Sequence, residues 1–178
     1  MNDSMIKEAL AYSLGSDLHE IWRSNRKLED GTFEPRIKKS KDEGWNIKHG
    51  TDEVDIANCS FAELPSNWQY ENLEAARTAI DLVYYSVIDF RQLTVEEIEM
   101  LSSEVHKAWQ QRNDWVFDPN YGNPEQAVPY NELSEEEKAK DRVQVLAGIE
   151  KVQSYVKGEI DVNSIISLYG IEQNAKSL

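Results

Sequence analysis

The sequence predicts a mainly α-helical fold: two helical hairpins with short strands or loops between their helices, related by a pseudo-two-fold axis, and a C-terminal helix. The first observation behind this prediction is that "HEIW" at 19–22 and "HKAW" at 106–109 repeat one histidine–tryptophan spacing 87 positions apart. The second is that "CSFAELPSNWQYEN" at 59–72 matches "VPYNELSEEEKAKD" at 128–141 at a constant offset of 69. We therefore predict a tandem repeat, with copy one at about 17–87 and copy two at about 103–152.

Four stretches with apolar residues at helical spacing supply the two helices of each copy. The first stretch is the least regular and contains Gly15, which weakens a helix. The apolar residues that mark the four predicted helices are, in chain order, Leu14, Leu18, Ile21 and Trp22; Leu73, Ala76, Ile80, Val83, Tyr84 and Val87; Ile98, Leu101, Val105, Ala108 and Trp109; Val145, Leu146, Ile149, Val152 and Val156.

Capping-box patterns mark the starts of the last three of these helices. In such a box, a serine or threonine is followed three residues later by a glutamate or glutamine, and both satisfy free N–H groups of the first turn. The pairs are Ser66 with Gln69, Thr94 with Glu97, and Ser134 with Glu137.

A last amphipathic helix is predicted outside the repeat. Val162, Ile165, Ile166 and Tyr169 lie at helical spacing, and Gly170 follows as a stop signal. The chain therefore divides into a repeat domain, 1–158, and a C-terminal amphipathic helix and tail, 159–178.

The two copies differ in the segment between their helices. Residues 24–64 form a long arm in the first copy, whereas residues 111–131 form a shorter, proline-containing loop in the second. The pattern allows short strands near Ile56 or Val128 and indicates no others.

The distribution of charge narrows the class of ligand. A net charge of −14 argues against binding to a DNA or RNA polymer, which requires many cations to neutralise phosphates. Basic residues are concentrated in the arm, since 8 of the 19 lysines and arginines lie between residues 23 and 48. This run is either a solvated flexible loop or a local site for a small anion. With few apolar residues, the stretch 34–54 is predicted to be the more mobile or partner-dependent loop.

The composition is typical of a globular cytoplasmic protein. Its hydrophobic fraction of 40% argues against disorder. No apolar run approaches the ~20 residues that a membrane-spanning helix needs, so we expect no membrane association. The stretch "MNDSMIKEALAYSLGSDLHE" lacks the basic and apolar regions of a secretory signal. A single cysteine, Cys59, excludes an intramolecular disulfide.

The repeated pattern resembles the ryanodine receptor repeat, the RyR domain, which occurs as tandem pairs in calcium-release channels and also in bacterial and phage proteins. The resemblance covers most of the chain, and its strongest pieces are "HEIWRSNRKLEDGTFEPR" and "AVPYNELSEEEKAKDR". The first copy departs from the family by reading "DGTF" where the family has a Gly-Trp pair, and its linker is expanded. In the second copy "RNDWVF" keeps Trp115 but loses the glycine.

The resemblance implies ligand binding without catalysis. In ryanodine receptors, the site formed by a pair of these repeats is similar to a pocket for an adenine nucleotide. The tryptophans of the two H-x-x-W motifs stack on the adenine ring there. For this chain, it implies that Trp22 and Trp109 face a cleft between the repeats and stack on an adenine nucleotide or a nucleotide-derived second messenger. The other candidate ligand-binding residues are Phe33, Phe117, Arg36, His19 and His106.

The tryptophans and histidines also have purely structural interpretations. Trp109 shares one helical stripe with Leu101 and Val105, so packing in the core stays open for it and its counterpart. His19 and His106 have no second metal ligand beside them, which favours a hydrogen bond at a helix surface or hinge.

Metal binding and catalysis find little support in the sequence. His49, Asp52 and Asp55 in "HGTDEVD" lack a recognised ligand spacing, so we expect no metal site. Cys59 has no base partner, and neither a nucleophile elbow nor a glycine-rich phosphate loop is present. We therefore expect a non-enzymatic protein without a cofactor that senses or sequesters a small nucleotide-like ligand, with self-association through the C-terminal helix as an option. The alternative is a structural or protein-interaction module with no small ligand.

Overall fold

A computed structural model describes residues 1–171; of the predicted C-terminal helix and tail, 159–178, residues 172–178 lie outside the described residues. The mainly helical fold class is confirmed, with 64% helix and 5% strand. The helices are α1 (Asp3–Ser24), α2 (Glu43–His49), α3 (Ser66–Ile88), α4 (Val95–Arg112), α5 (Glu135–Val156) and α6 (Val162–Tyr169). Strands β1 (Ile37–Lys39) and β2 (Glu53–Asp55) pair antiparallel, and 3₁₀ turns occupy Phe61–Glu63, Asp114–Phe117 and Tyr130–Glu132.

The chain forms two compact units. The first consists of Met1–Glu74 together with residues 162–171, and the second is Ala75–Asp161, so that the boundary falls within α3. None of the helices within residues 1–171 combines the length and apolar content needed to cross a membrane.

Helix α1 forms the core of the first unit. It begins at Asp3, more than two turns before the predicted apolar positions, and the Asn2 side chain accepts a hydrogen bond from the N–H of Met5 to cap it. The buried side chains of its early turns are Met5, Ile6, Ala9, Leu10, Ala11 and Leu14. Gly15 lets the ring of Phe61 pack closely, because a Cβ at residue 15 would lie 3.1 Å from the ring atom Cζ.

The C-terminal amphipathic helix is present as α6, and it packs on α1 of the same chain. The rings of Tyr12 and Tyr169 lie 4.6 Å apart between centroids, and Tyr169 also meets the edge of Phe61 at 6.0 Å. Val162 is buried, whereas Leu168 is exposed. Part of the apolar side of this helix is therefore covered within the first unit.

The segment 34–54, which was expected to be a mobile or partner-dependent loop, contains regular structure instead: β1, α2 and β2. Asp42 caps two helices at once: one carboxylate oxygen accepts from the N–H of Trp45 at 3.0 Å and the other from the N–H of Ser66 at 3.1 Å. The indole N–H of Trp45 donates to the carbonyl of Glu63 at 2.9 Å. The arm is thus anchored to the start of α3. The structure places β2 just before Ile56, one of the two positions where a strand was allowed.

The helix caps differ partly from the predicted boxes. At the predicted box of Ser66 and Gln69, the Ser66 N–H donates to Asp42 instead, and the Gln69 amide donates to a carbonyl in the preceding turn. A complete capping box lies six residues earlier, between Ser60 and Glu63. The two side chains that cap α4 and α5 as predicted, by accepting from the N–H three residues on, are Thr94 and Ser134.

The second unit contains most of α3, with α4 and α5. The predicted apolar stripe of α3 is buried throughout. The stripe of α5 is only partly buried, since Val145 and Val152 are fully enclosed and Leu146 is half exposed. Gly148 of α5 approaches the backbone of α3 so closely that a Cβ there would lie 3.2 Å from the carbonyl oxygen of Ala79.

Candidate functional site

Each histidine of the two H-x-x-W motifs ties its helix to a distant loop carbonyl. In the first unit His19 Nε2 lies 2.8 Å from the carbonyl oxygen of Cys59, and in the second His106 Nε2 lies 2.9 Å from that of Val128. A carbonyl oxygen can only accept, so both Nε2 atoms carry the proton. Cys59 and Val128 are 69 positions apart, which is the offset of the matching sequence segments.

A second hydrogen bond recurs one helical turn further on. Arg23 Nε donates to the carbonyl of Ala57 at 2.8 Å, and Gln110 Nε2 donates to the carbonyl of Gln126 at 2.8 Å. The donors are 87 positions apart and the acceptors 69, as for the histidines. In each unit, therefore, two side chains one helical turn apart bond to loop carbonyls: the first donor is a histidine in both units, whereas the second is an arginine in one and a glutamine in the other.

The tryptophans of the motifs are neither fully buried nor exposed. Trp22 stacks on His19 with 5.8 Å between centroids, and Trp109 stacks on His106 with 6.3 Å. Each indole is half-buried. Trp109 also meets Trp115 edge-on at 6.4 Å.

A pocket of about 220 Å³ opens beside Trp22 in the first unit. Its lining residues are His19, Trp22, Ile56, Leu64, Trp68, Glu71 and Asn72. Sequence reasoning missed Trp68, whose indole N–H donates to the carbonyl of Lys39 at 2.8 Å and is held in place by it. Two indoles and two aliphatic side chains thus surround a cavity that carries a carboxylate and an amide at its α3 side.

Two cations lie over the indoles of this pocket. The guanidinium of Arg26 is 5.3 Å from the Trp22 ring centroid, and the ammonium of Lys38 is 5.7 Å from that of Trp68. Distances of this size permit a cation–π attraction. Arg26 is also held by the carbonyls of Glu34 and Pro35, at 3.1 Å each.

Of the other candidates in the first unit, Arg36 adjoins the pocket through its backbone. Its carbonyl accepts from the N–H of Ile56 at 3.0 Å, its own N–H donates to Asp55, and its side chain is exposed. Phe33 does not line the pocket; its ring lies under the guanidinium of Arg23, 4.3 Å from Cζ.

Burial sets the protonation of the polar groups behind the pocket. Desolvation lowers the pKa of His19, so the imidazole is neutral at pH 7 with Nδ1 as its acceptor. Burial likewise raises the pKa of the Cys59 thiol, with the carboxylates of Glu63 and Asp55 adding to the effect. Cys59 is therefore a thiol rather than a reactive thiolate.

The residues of the second unit that match the pocket's α3 residues in sequence have charged side chains. At the offset of 69, Trp68 corresponds to Glu137 and Asn72 to Asp141. Glu137 accepts from Lys140 at 2.7 Å and from the Gln126 amide at 3.2 Å. A network of charged and amide side chains thus occupies the positions that supply an indole and an amide in the first unit.

The second unit has a pocket of about 310 Å³ that His106 helps to line. Phe117 lines it while remaining half exposed, and Trp109 is not among its lining residues. The hydroxyl of Tyr130, another lining residue, donates to the carboxylate of Glu99. Burial and this carboxylate raise the pKa of Tyr130 to about 12, so the phenol stays protonated.

The side chains considered as metal ligands have other partners. The His49 ring stacks on Trp45 at 3.9 Å, and Asp52 pairs with Lys39 at 3.1 Å. Asp55 accepts from the N–H of Arg36 and the amide of Asn58. Within residues 1–171, no three histidine, cysteine, aspartate or glutamate side chains are grouped so as to hold a metal ion.

No family model, curated protein or solved structure matches this chain.

Proposed function

We propose that this protein is a non-enzymatic binder of a small nucleotide-like ligand, and that the pocket lined by Trp22 and Trp68 receives the ligand's ring. The observation that carries the proposal is that two indoles line one small cavity with cations beside them. Stacking on an aromatic side chain contributes about 1–3 kcal/mol per base in nucleic-acid complexes. The resemblance to the RyR repeat, which implies an adenine nucleotide, supports the same class of ligand.

The size of the pocket supports a ring rather than a whole nucleotide inside it. Pockets that enclose a drug-sized ligand measure about 300–1,000 Å³, whereas this one measures about 220 Å³. A single base would fill it, and the sugar and phosphate would extend to the surface. Glu71 and Asn72 supply an acceptor and an amide for the ring's edge.

Cations at the surface of the first unit suit the phosphate. Lys38 lies in β1, and Arg36 directly precedes this strand. Strand β2 pairs with β1 and is followed by Ile56, which lines the pocket. The net charge of −14 would repel a phosphate elsewhere on the protein, so a local group of cations has a specific use here. The expected ligand carries a flat ring and one or more phosphates.

We further propose that copy one (about 17–87) and copy two (about 103–152) derive from one duplicated element and that only copy one has kept a pocket for a nucleotide ring. The support is the recurrence of both loop-fixing hydrogen bonds at offsets of 87 and 69. In the second copy, Glu137 stands in place of Trp68 and is tied to Lys140. Binding should therefore occur with one ligand per chain, which calorimetric titration measures directly.

The test measures thermal shifts with AMP, ATP and cyclic adenine nucleotides. Adenosine, which lacks the phosphate, and ribose phosphate, which lacks the base, are measured beside them. A nucleotide at 100 times its dissociation constant should stabilise the protein by about 2.7 kcal/mol. A shift with a nucleotide, a smaller one with adenosine and none with ribose phosphate supports ring binding. Equal shifts with ribose phosphate and with nucleotide would overturn it, as would no shift with any member of the panel.

A protein-interaction module is the second candidate, and one observation favours it. Three aromatic side chains, Trp115, Phe117 and Tyr121, are at least half exposed within one short loop. The loop is tight, because a Cβ on Gly122 would lie 2.3 Å from the carbonyl oxygen of Val116. Exposed aromatic residues on a rigid loop are typical of binding surfaces. Substituting all three by serine should abolish association with a partner but leave nucleotide shifts unchanged.

A further inference from the structure

Phe90 combines two unfavourable features at the end of α3. Its side chain is 83% exposed, and its backbone has a φ of 59°, in the left-handed region that favours glycine. The turn is a Schellman motif, in which the N–H of Phe90 donates to the carbonyl of Val87 and the N–H of Arg91 to that of Ser86. Both the strain and the exposed ring disfavour phenylalanine here on grounds of stability.

The end of α5 shows what the same motif looks like with the favoured residue. There Gly158 takes the left-handed position with a φ of 75°, and its N–H donates to the carbonyl of Tyr155. The N–H of Glu159 donates to the carbonyl of Ser154, completing the motif. Glycine therefore serves at one helix end, whereas phenylalanine at the other calls for a role outside stability.

A pocket of about 350 Å³ lies against Phe90 in the second unit. Its lining residues are Val87, Phe90, Arg91, Gln92, Gln153, Val156 and Lys157. Val87 is buried and gives an apolar floor, while the exposed ring of Phe90 forms one wall. The volume falls within the range of about 300–1,000 Å³ typical of small-molecule sites.

The charges around this pocket favour a ligand with a single negative charge. Lys157 has no ion-pair partner among residues 1–171, whereas Arg91 is held by Glu97 at 2.7 Å. Helices α3 and α5 both end here, and the partial negative charges of their C-termini offset part of the cationic charge. The remaining positive charge suits one carboxylate better than a polyphosphate. Gln92 and Gln153 also line the pocket, and an amide side chain can donate hydrogen bonds to a carboxylate.

From this arrangement we infer that the pocket at the ends of α3 and α5 is a second small-molecule site, which takes a flat aromatic monocarboxylate. The ring stacks on Phe90 above Val87, and the carboxylate meets the ammonium of Lys157. This site is independent of the nucleotide pocket proposed for the first unit, because it shares no residue with it.

The experiment titrates the full chain with 1-naphthoate and with its neutral counterpart 1-naphthamide, read by chemical shifts of the backbone amides. Naphthoate should bind more tightly than naphthamide and shift residues 87–92 and 153–157. Phe90→Gly should weaken naphthoate binding by about fivefold or more while raising the melting temperature, because it removes the strain. Lys157→Gln should weaken the binding of naphthoate and leave that of naphthamide unchanged.

Tyr121→Ala is the matched control, since Tyr121 is an equally exposed aromatic residue of the second unit outside this pocket. It should bind naphthoate as the parent does. A Phe90→Gly variant that is folded and binds naphthoate with the parent's affinity would overturn the site. So would shifts that map elsewhere, or an absence of shifts at the solubility limit of naphthoate.

Discussion

His106 Nδ1 lies 3.5 Å from an oxygen of the Asp141 carboxyl group, and both side chains are buried. Because Nε2 of His106 already donates to a carbonyl, Nδ1 is the ring atom left to interact with the carboxyl group. The pair joins α4 to α5 within the second unit. Burial raises the pKa of Asp141 to about 6; His106 and Lys140 act against this rise, and Glu137 adds to it.

Asp141→Asn should therefore flatten part of the pH dependence of stability. A folded-state pKa above the unfolded value of about 3.9 means that the folded protein holds the proton more tightly. This contribution to stability is complete below pH 4 and is lost as the pH rises through about 6. The free energy of unfolding of the parent, minus that of the variant, should fall by about 1–3 kcal/mol across this window in urea titrations.

Glu137→Gln provides a control of opposite sign for that experiment. The hydrogen bond from Lys140 is the main cause that lowers the pKa of Glu137, so its contribution is present at neutral pH and lost on acidification. The same difference plot should rise between pH 3 and pH 5 for this variant. A flat plot for Asp141→Asn would contradict the raised pKa of Asp141 in the folded protein.

Asp42→Ala should loosen the arm that contains β1, α2 and β2. The carboxylate accepts N–H donors from the first turns of both α2 and α3, and these bonds lower its pKa. Loss of one helix cap costs about 0.5–2 kcal/mol, so removal of both should lie at the upper end of that range or above it. Hydrogen exchange within 37–55 should accelerate, and proteolysis of the native protein should begin there.

Asp30→Ala is the control for the arm. Asp30 bonds only to the neighbouring Thr32 in the contacts that the structure gives it, so its loss leaves the Asp42 caps in place. Equal acceleration of exchange in both variants would show that Asp42 does not anchor the arm.

Gly148→Ala should destabilise the second unit by about 1–3 kcal/mol because the added methyl group overpacks the contact between α5 and α3. The nearest atoms, the Ala79 carbonyl and its Cβ, are 3.2–3.3 Å from the ideal Cβ and are mostly backbone. Gly44→Ala in α2 is the matched change, since only a carboxylate oxygen of Asp42 lies near, at 3.5 Å. It should stabilise the protein by up to about 1 kcal/mol. Chemical denaturation measures both, and equal signs would contradict the close helix approach.

The helical stripes show how much of the fold can be predicted from local pattern. The six apolar positions predicted for α3 are all buried, since a helix repeats its own face regardless of distant residues. The early turns of α1 were missed, although Met5, Ile6, Ala9 and Leu10 follow Asn2 at helical spacing and carry a local signal. The folded arm has no such local signal, because its order depends on Asp42 reaching Ser66 across 24 residues.

The residues of the candidate site likewise fall into those that local motifs predicted and one that they did not. The H-x-x-W motifs led to His19 and Trp22, which do line one pocket. Trp68 was missed because its orientation is set by the carbonyl of Lys39, 29 residues earlier, and no local spacing reports such a bond. The sequence match between 59–72 and 128–141 did contain a signal, because it aligns Trp68 of the first segment with Glu137 of the second.

The last prediction tests the pocket lined by Trp22 and Trp68 with single substitutions. Trp22→Ala and Trp68→Ala should each weaken nucleotide binding by about 1–3 kcal/mol through lost stacking, almost independently of salt. Arg36→Ala should weaken the binding of nucleotide more than that of adenosine, and its effect should shrink as added salt screens the charge. Calorimetric titration at two salt concentrations measures these differences.

Two further tryptophan variants decide between structural and binding roles. Trp115→Ala removes a half-exposed indole outside this pocket and should leave the affinity unchanged. Trp109→Ala should also leave the nucleotide affinity unchanged if the first unit binds the ligand alone. A folded Trp109→Ala variant that loses binding would instead favour stacking by both motif tryptophans, as the RyR resemblance implies. Circular dichroism must show each variant folded, because a destabilised unit would mimic a lost contact. A folded variant lacking both Trp22 and Trp68 that binds nucleotide as tightly as the parent would exclude the pocket as the site.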